Sequence, residues 1–231
     1  MKHNKCLFVF VWCLLAIATN AQENRFTSKL DKYCKQLIQS YRTVSEERKQ
    51  VLDLMASDLV DKRYIVFTCK TNSRRTVLLQ VWAQTGFYYY GLADRNAFSI
   101  GDTVTPVYSG VANVLSEVGF YVSRLANADP NGYMISISKD FPESIVSSKS
   151  MVGTIDTTMG VVVNICDEKE PSGNAAKYST FHLPYSSPTP FEKTVREKLK
   201  YKQLNHRIAL EMLYLSSRIR DLLKQINQER Y

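Results

Sequence analysis

The chain has 231 residues, 45% hydrophobic and 23% charged, with a formal net charge of +8. That size and mixture suit one packed domain and exclude a low-complexity or collagenous chain. The basic residues are scattered, with concentrations at Arg74-Arg75 and across 192–202, and no aromatic residues interleave with them as a single-strand-binding surface requires, so nucleic acid is not an expected partner.

Lys2 and Lys5 precede an apolar run over residues 6–18, and Thr19-Asn20-Ala21 follows as a small-residue cleavage site. This is the three-part pattern of a signal peptide over 1–21, with Gln22 as mature N-terminus. The run is short for a membrane span, so we expect an exported protein, periplasmic or secreted, with no membrane association after cleavage. Loss of Lys2 and Lys5 brings the charge from +8 to +6. Cys6 and Cys13 leave too, and Cys34, Cys69 and Cys166 remain, too few for a disulfide scaffold. No cysteine pair has zinc-ligand spacing, His182 and His206 are isolated, and no metal or cofactor is expected.

Residues 27–62 read as helical. Leu30, Tyr33, Cys34, Leu37, Ile38 and Tyr41 form one apolar stripe, and Thr43-Val-Ser-Glu46 resembles a capping box opening a second helix through Leu52, Met55 and Leu59. Cys34 on the stripe is a core residue on this pattern. These helices make residues 22–62 an N-terminal helical extension to a main domain over 63–231.

In the main domain, 64–68 reads as a buried strand, 72–91 as a helix and 97–100 as a short strand. Helix is expected over 106–118 and strand over 133–137, after a turn at Asp129-Pro-Asn-Gly132. Residues 143–150 form a Ser-rich loop. Strands follow at 160–166 and 178–185, then a long helix from 191 to about 228, with Leu204, Ile208, Met212, Leu215, Ile219, Leu222 and Ile226 on one face. Strands separated by helices predict an α/β, doubly wound, mainly parallel sheet with helices on both faces. Ligands of such sheets sit at the carboxyl ends of the strands, where both Cys69 and Cys166 fall.

The segment Cys69-Lys-Thr-Asn-Ser-Arg-Arg75-Thr76 lies between the buried strand and the helix Val77-Leu-Leu-Gln-Val-Trp. Backbone N–H groups and the helix dipole make such a junction an anion site. The same field favours a thiolate at Cys69, and Arg75 can fork two bonds to an oxyanion.

This pattern, C-x5-R with Asn72 inside and Thr76 after, resembles the phosphate loop of the low-molecular-weight tyrosine phosphatases and the thioredoxin-coupled arsenate reductases that share their fold. Trp82-Ala-Gln, Tyr88-Tyr-Tyr-Gly91 and Arg207-Ile-Ala-Leu-Glu-Met-Leu-Tyr214 extend the similarity from about residue 64 to 218. The resemblance implies Cys69 as nucleophile and Arg75 as oxyanion clamp, with the loop completed by Lys70, Thr71, Asn72, Ser73, Arg74 and Thr76. Asn72 would brace the loop and the Thr76 hydroxyl would bond the thiolate. Substrates would be phosphoryl groups or a small oxyanion, with an external thiol reductant as partner.

Three departures stand out. Thr71 replaces the usual glycine, and Arg74 replaces the cysteine usual before the arginine. Ser187, before Pro188, occupies the place of the general-acid Asp, so ester hydrolysis should slow by ~10²–10⁴-fold unless Asp167 or Glu168 substitutes. Cys166 matches the cysteine that attacks the nucleophile's arsenic adduct, but residues 167–171 contain no second relay cysteine. From the residues alone, Cys166 is either a redox partner or an inert core cysteine. The alternatives to an enzyme are an impaired oxyanion- or phosphopeptide-binding module and a thiol-redox protein.

Overall fold

The computed structural model describes residues 26–125, 132–138, 144–147, 149, 156, 158–167 and 180–229. The expected signal peptide, the mature N-terminus, most of the turn at 129–132 and Glu168 lie outside them.

Helices α1 (Ser28–Gln39) and α2 (Glu46–Leu59) precede strand β1 (Tyr64–Thr71), helix α3 (Arg75–Tyr89), strand β2 (Asn96–Thr103) and helix α4 (Ser109–Val118). Then come β3 (Tyr121–Arg124), β4 (Tyr133–Ser136), β5 (Ser144–Val146), β6 (Gly160–Asn164), β7 (Phe181–His182) and the 33-residue α5 (Glu197–Glu229). The main sheet has the order β2-β1-β6-β7, all parallel and flanked by helices. No described helix is long and apolar enough to cross a membrane.

Period-two alternation on β1 sends Ile65 and Phe67 into the main core, beside Ala97, Val161 and Val163 from the neighbouring strands. Helix α3 lies against this face, where its Gln80 Oε1 accepts from Ser99 Oγ of β2 at 2.6 Å. The run from Thr76 to Ala83 is buried throughout, which explains why α3 carries a continuous apolar string rather than a stripe. Helix α5 packs along α3, α2, α4 and α1. Its approach to α3 needs Gly86, since a Cβ there would lie 2.4 Å from Ser216 Oγ and 3.1 Å from the Met212 carbonyl.

Several boundaries differ from expectation. The α2 cap is Ser45, because the Thr43 hydroxyl donates to the Ser40 carbonyl at 2.7 Å and finishes a 3-10 turn, Tyr41–Thr43. β4 leaves the parallel sheet and forms an antiparallel meander with β3 and β5, so part of the Ser-rich segment is strand. β7 is shorter than expected, and α5 starts at Glu197 after a 3-10 turn, Thr189–Phe191. Cys34 is fully buried in the core, where burial pushes its thiol up to about 12, so it stays protonated and inert.

Candidate functional site

β1 continues two residues past Cys69, with Cys69 paired to Gly101 and Thr71 to Thr103 of β2. The expected loop therefore begins on the strand. Lys70 is an exposed strand residue whose carbonyl accepts from Thr103 Oγ1 at 3.2 Å, and only Asn72, Ser73 and Arg74 separate strand from helix. Gly101 permits this closeness: a Cβ there would lie 2.6 Å from the Asn72 nitrogen and 3.0 Å from the Thr71 carbonyl carbon. Arg74 makes no side-chain cap, so the first-turn N–H groups of α3 keep the positive end that suits an anion.

The loop is braced from inside. Asn72 Nδ2 donates to the Ser99 carbonyl at 2.9 Å, and Asn72 Oδ1 accepts from the Thr76 hydroxyl at 2.8 Å. Asn72 thus ties the loop both to β2 and to the first turn of α3. With Cys69 held in a disulfide there is no thiolate for Thr76 to bond, and its single proton is directed at Asn72. Ser73 Oγ accepts from Arg74 Nη1 at 2.9 Å.

Cys69 and Cys166 are joined by a disulfide, with their Cα atoms 5.4 Å apart. Arg75 Nη2 lies 3.5 Å from Cys69 Sγ. Its Nη1 donates to Asp167 Oδ1 at 3.2 Å and also to the Tyr185 carbonyl. Cys166 is held in place by its own backbone: its N–H donates to Asn164 Oδ1 at 3.0 Å, and its carbonyl lies 2.8 Å from His182 Nε2. The fold therefore brings Cys69, Arg75, Cys166 and Asp167 together. The Ser187 hydroxyl donates to Thr189 Oγ1 at 3.0 Å rather than to any of these groups.

The two adjacent arginines diverge. Arg74 turns to Glu192, with Nε at 2.5 Å and Nη2 at 2.9 Å from its two oxygens, and lies over the Tyr108 ring. The Tyr201 hydroxyl donates to the same carboxylate at 2.8 Å. Burial alone would raise the Glu192 carboxyl, but the bonds from Arg74 and Tyr201 hold it below the ordinary glutamate range.

No family model matches the chain, and no curated protein matches it. Among solved structures it is similar to an arsenate reductase in the phosphate-binding state, with 15% identity over 68% of this chain and 98% of the other, TM-score 0.46. A tyrosine phosphatase from Erwinia amylovora shares 12% identity over 70% and 93% of the two chains, TM-score 0.41. A thioredoxin-dependent arsenate reductase from Corynebacterium glutamicum shares 15% over 88% and 98%, TM-score 0.36. The likeness is one of fold. It says nothing of activity, and the chemistry rests on this chain's own residues.

Sequence reasoning missed Glu192 and Tyr185. Glu192 sits 118 positions from Arg74 at the head of a charged run that reads as a solvated helix face. Tyr185 serves the site through its backbone carbonyl, which carries no residue-type signal. Asp167, a candidate substitute acid on sequence grounds, lies on Arg75, a placement that no local pattern carries.

Proposed function

We propose that the reduced protein is a cysteine-dependent enzyme of phosphatase or arsenate-reductase type, with Cys69 as nucleophile and Arg75 as oxyanion clamp. The observation that carries this is Arg75 Nη2 at 3.5 Å from Cys69 Sγ, beside the uncapped start of α3. Once the bond to Cys166 opens, the guanidinium and the helix field both favour the thiolate. An incoming oxyanion would take Asp167's place on Arg75, exchanging one anionic partner for another. In phosphoryl transfer the S–P bond forms as the ester oxygen leaves with its electron pair. Water then attacks phosphorus and returns the thiol. Asn72 braces the loop for this chemistry, and Asp167, 3.2 Å from Arg75, would take the acid role that Ser187 cannot fill.

The disulfide favours a second reading, arsenate reduction. Cys69 sulfur would bond arsenic with loss of water. The Cys166 thiolate would then attack Cys69 sulfur, closing the S–S bond and releasing arsenite with the S–As pair. Two thiols supply the two electrons, and the bond left behind is the Cys69–Cys166 pairing. An external thiol reductant resets it. Export over residues 1–21, an extension over 22–62 and a catalytic domain over 63–231 belong to the same proposal, and a disulfide suits an oxidising compartment.

The test is aryl phosphate hydrolysis by reduced protein, since that leaving group needs little protonation. Cys69→Ser should abolish turnover, and unchanged turnover would overturn the proposal. Turnover appearing only with Ser187→Asp would favour an impaired oxyanion- or phosphopeptide-binding module instead. Arsenite production with a dithiol, lost in Cys166→Ser, would select the second reading.

A further inference from the structure

The segment 185–191 and the first three turns of α5 enclose a cavity of about 240 Å³. Ser186, Ser187, Phe191, Lys200 and Arg207 are in its lining. Sites that hold a whole small ligand measure roughly 300–1,000 Å³, so this one suits a single side chain of a larger molecule. It also adjoins the catalytic loop. The Tyr185 carbonyl accepts from Arg75, and Tyr185 itself contributes to the cavity wall. Two residues of chain span at most about 7 Å, so the Ser187 Cα lies within that distance of the Tyr185 Cα. A bound peptide covers the same interval in two or three residues.

Charge defines what that side chain must be. No carboxylate is among the described residues that line the cavity, and two cations are. Glu211 is buried and already takes bonds from Arg48 and from the Tyr185 hydroxyl. One carboxylate thus answers two arginines, and the surplus charge rests on the half-exposed Arg207. Arg207 reaches Glu211 through Nε alone, at 3.1 Å, and its two Nη groups make no hydrogen bond among the described residues. Lys200 holds its ammonium 4.8 Å from the centre of the Phe191 ring and has no carboxylate partner among the described residues. The two cations stand seven positions apart on α5, about two turns and 10 Å along one face, and bracket the cavity.

We propose that this cavity is a substrate subsite, and that the substrate is an acidic phosphopeptide. With the phosphoryl group on Arg75, a glutamate about three residues away places its carboxylate between Lys200 and Arg207. The exposed Ser186 hydroxyl can donate to the same group. The inference rests on the Cys69 reading and selects its phosphoryl form over the arsenate one.

The test uses reduced protein and phosphotyrosyl peptides with glutamate three residues before or three after the phosphotyrosine, each against its glutamine counterpart. At least one glutamate peptide should show about fivefold higher kcat/KM, the effect of two part-exposed ion pairs. Lys200→Gln should remove most of that preference and leave 4-nitrophenyl phosphate turnover unchanged. Lys202→Gln deletes the same charge two positions on, outside the cavity lining, and should keep the preference. Equal loss in the two variants would mean a general positive field and would overturn the proposal, as would a parallel fall with 4-nitrophenyl phosphate in Lys200→Gln. Fluorescence anisotropy of the same peptides on Cys69→Ser protein repeats the comparison without turnover. Absence of binding by every peptide there also overturns the subsite. A glutamate preference in binding without aryl phosphate turnover would sink the Cys69 reading alone and keep the subsite. Turnover with no preference between glutamate and glutamine would sink the subsite alone.

Discussion

Two regions meet at Tyr185 and treat charge in opposite ways. The loop region takes its backbone carbonyl, which accepts from Arg75. The charge cluster under α5 takes its side chain: the hydroxyl donates to Glu211 at 2.5 Å, and Arg48 and Arg207 lie over the ring at 4.6 and 5.4 Å. Arg48 also donates to Glu211 through Nε at 3.2 Å and to the Pro184 carbonyl at 3.1 Å. In the cluster, Arg48 and Glu211 are both buried and answer each other, with the half-exposed Arg207 adding a bond from the rim. In the loop, Arg75 is answered by a part-exposed carboxylate and by a sulfur whose bond can be reduced. An arginine answered by a carboxylate thus gives a fixed joint in one place and an exchangeable one in the other.

The largest effect should come from breaking the fixed joint. Glu211→Gln leaves Arg48 buried without its counter-charge, and should lower the unfolding free energy by about 3–5 kcal/mol in a urea titration. A loss under 1 kcal/mol would mean the cluster is solvated in practice. Opening the exchangeable joint comes next. Reduction of a disulfide that spans 97 positions should remove about 2–4 kcal/mol, by restoring freedom to the unfolded chain. Cys166→Ser should reproduce that loss and abolish its dependence on reductant. Performed together, the two perturbations measure their coupling through Tyr185. Additive losses would make the regions independent, whereas an excess beyond about 0.5 kcal/mol would make them one network.

What sequence made legible follows the same division. Periodicity found α1, α2, α3 and α5 because each has a face or a whole surface to bury. The spacing of Cys69 and Arg75 singled out the loop because strand, loop and helix are adjacent in the chain. The parallel sheet followed from strands alternating with helices. The pairing in the fixed joint was invisible, since Arg48 stands 163 positions from Glu211 and has no local signature of its own, although Glu211 lies in the segment 207–214 that carries the resemblance. Thr76 bonding Asn72, and the extension of β1 through Thr71, depend on Gly101 allowing β2 to approach, which is a tertiary circumstance. β3 and β5 are too short to show a period, and β5 lies among serines that read as loop.

The smallest effect concerns Arg74, the arginine that belongs with the fixed joint although it sits in the loop. Its partner Glu192 has a carboxyl held below the ordinary glutamate range, chiefly against the opposing effect of burial, by bonds from Arg74 and Tyr201. A depressed folded-state value means that Glu192 contributes stability above the unfolded-state value. That contribution fades as pH falls through the folded-state value. The acid limb of the stability profile should therefore carry a Glu192 component. Glu192→Gln should flatten that limb and cost about 1.5–3 kcal/mol near neutrality, where the native pair is fully charged. Thermal unfolding of both proteins from neutral pH into the acid range reads the difference directly. The two curves should converge as the carboxylate takes up its proton, because a protonated Glu192 and a glutamine offer Arg74 the same neutral acceptor. If the gap between them stays constant with pH, the Arg74 pair acts through packing on Tyr108 and Tyr201 rather than through charge. The contrast between the adjacent arginines would then be one of shape.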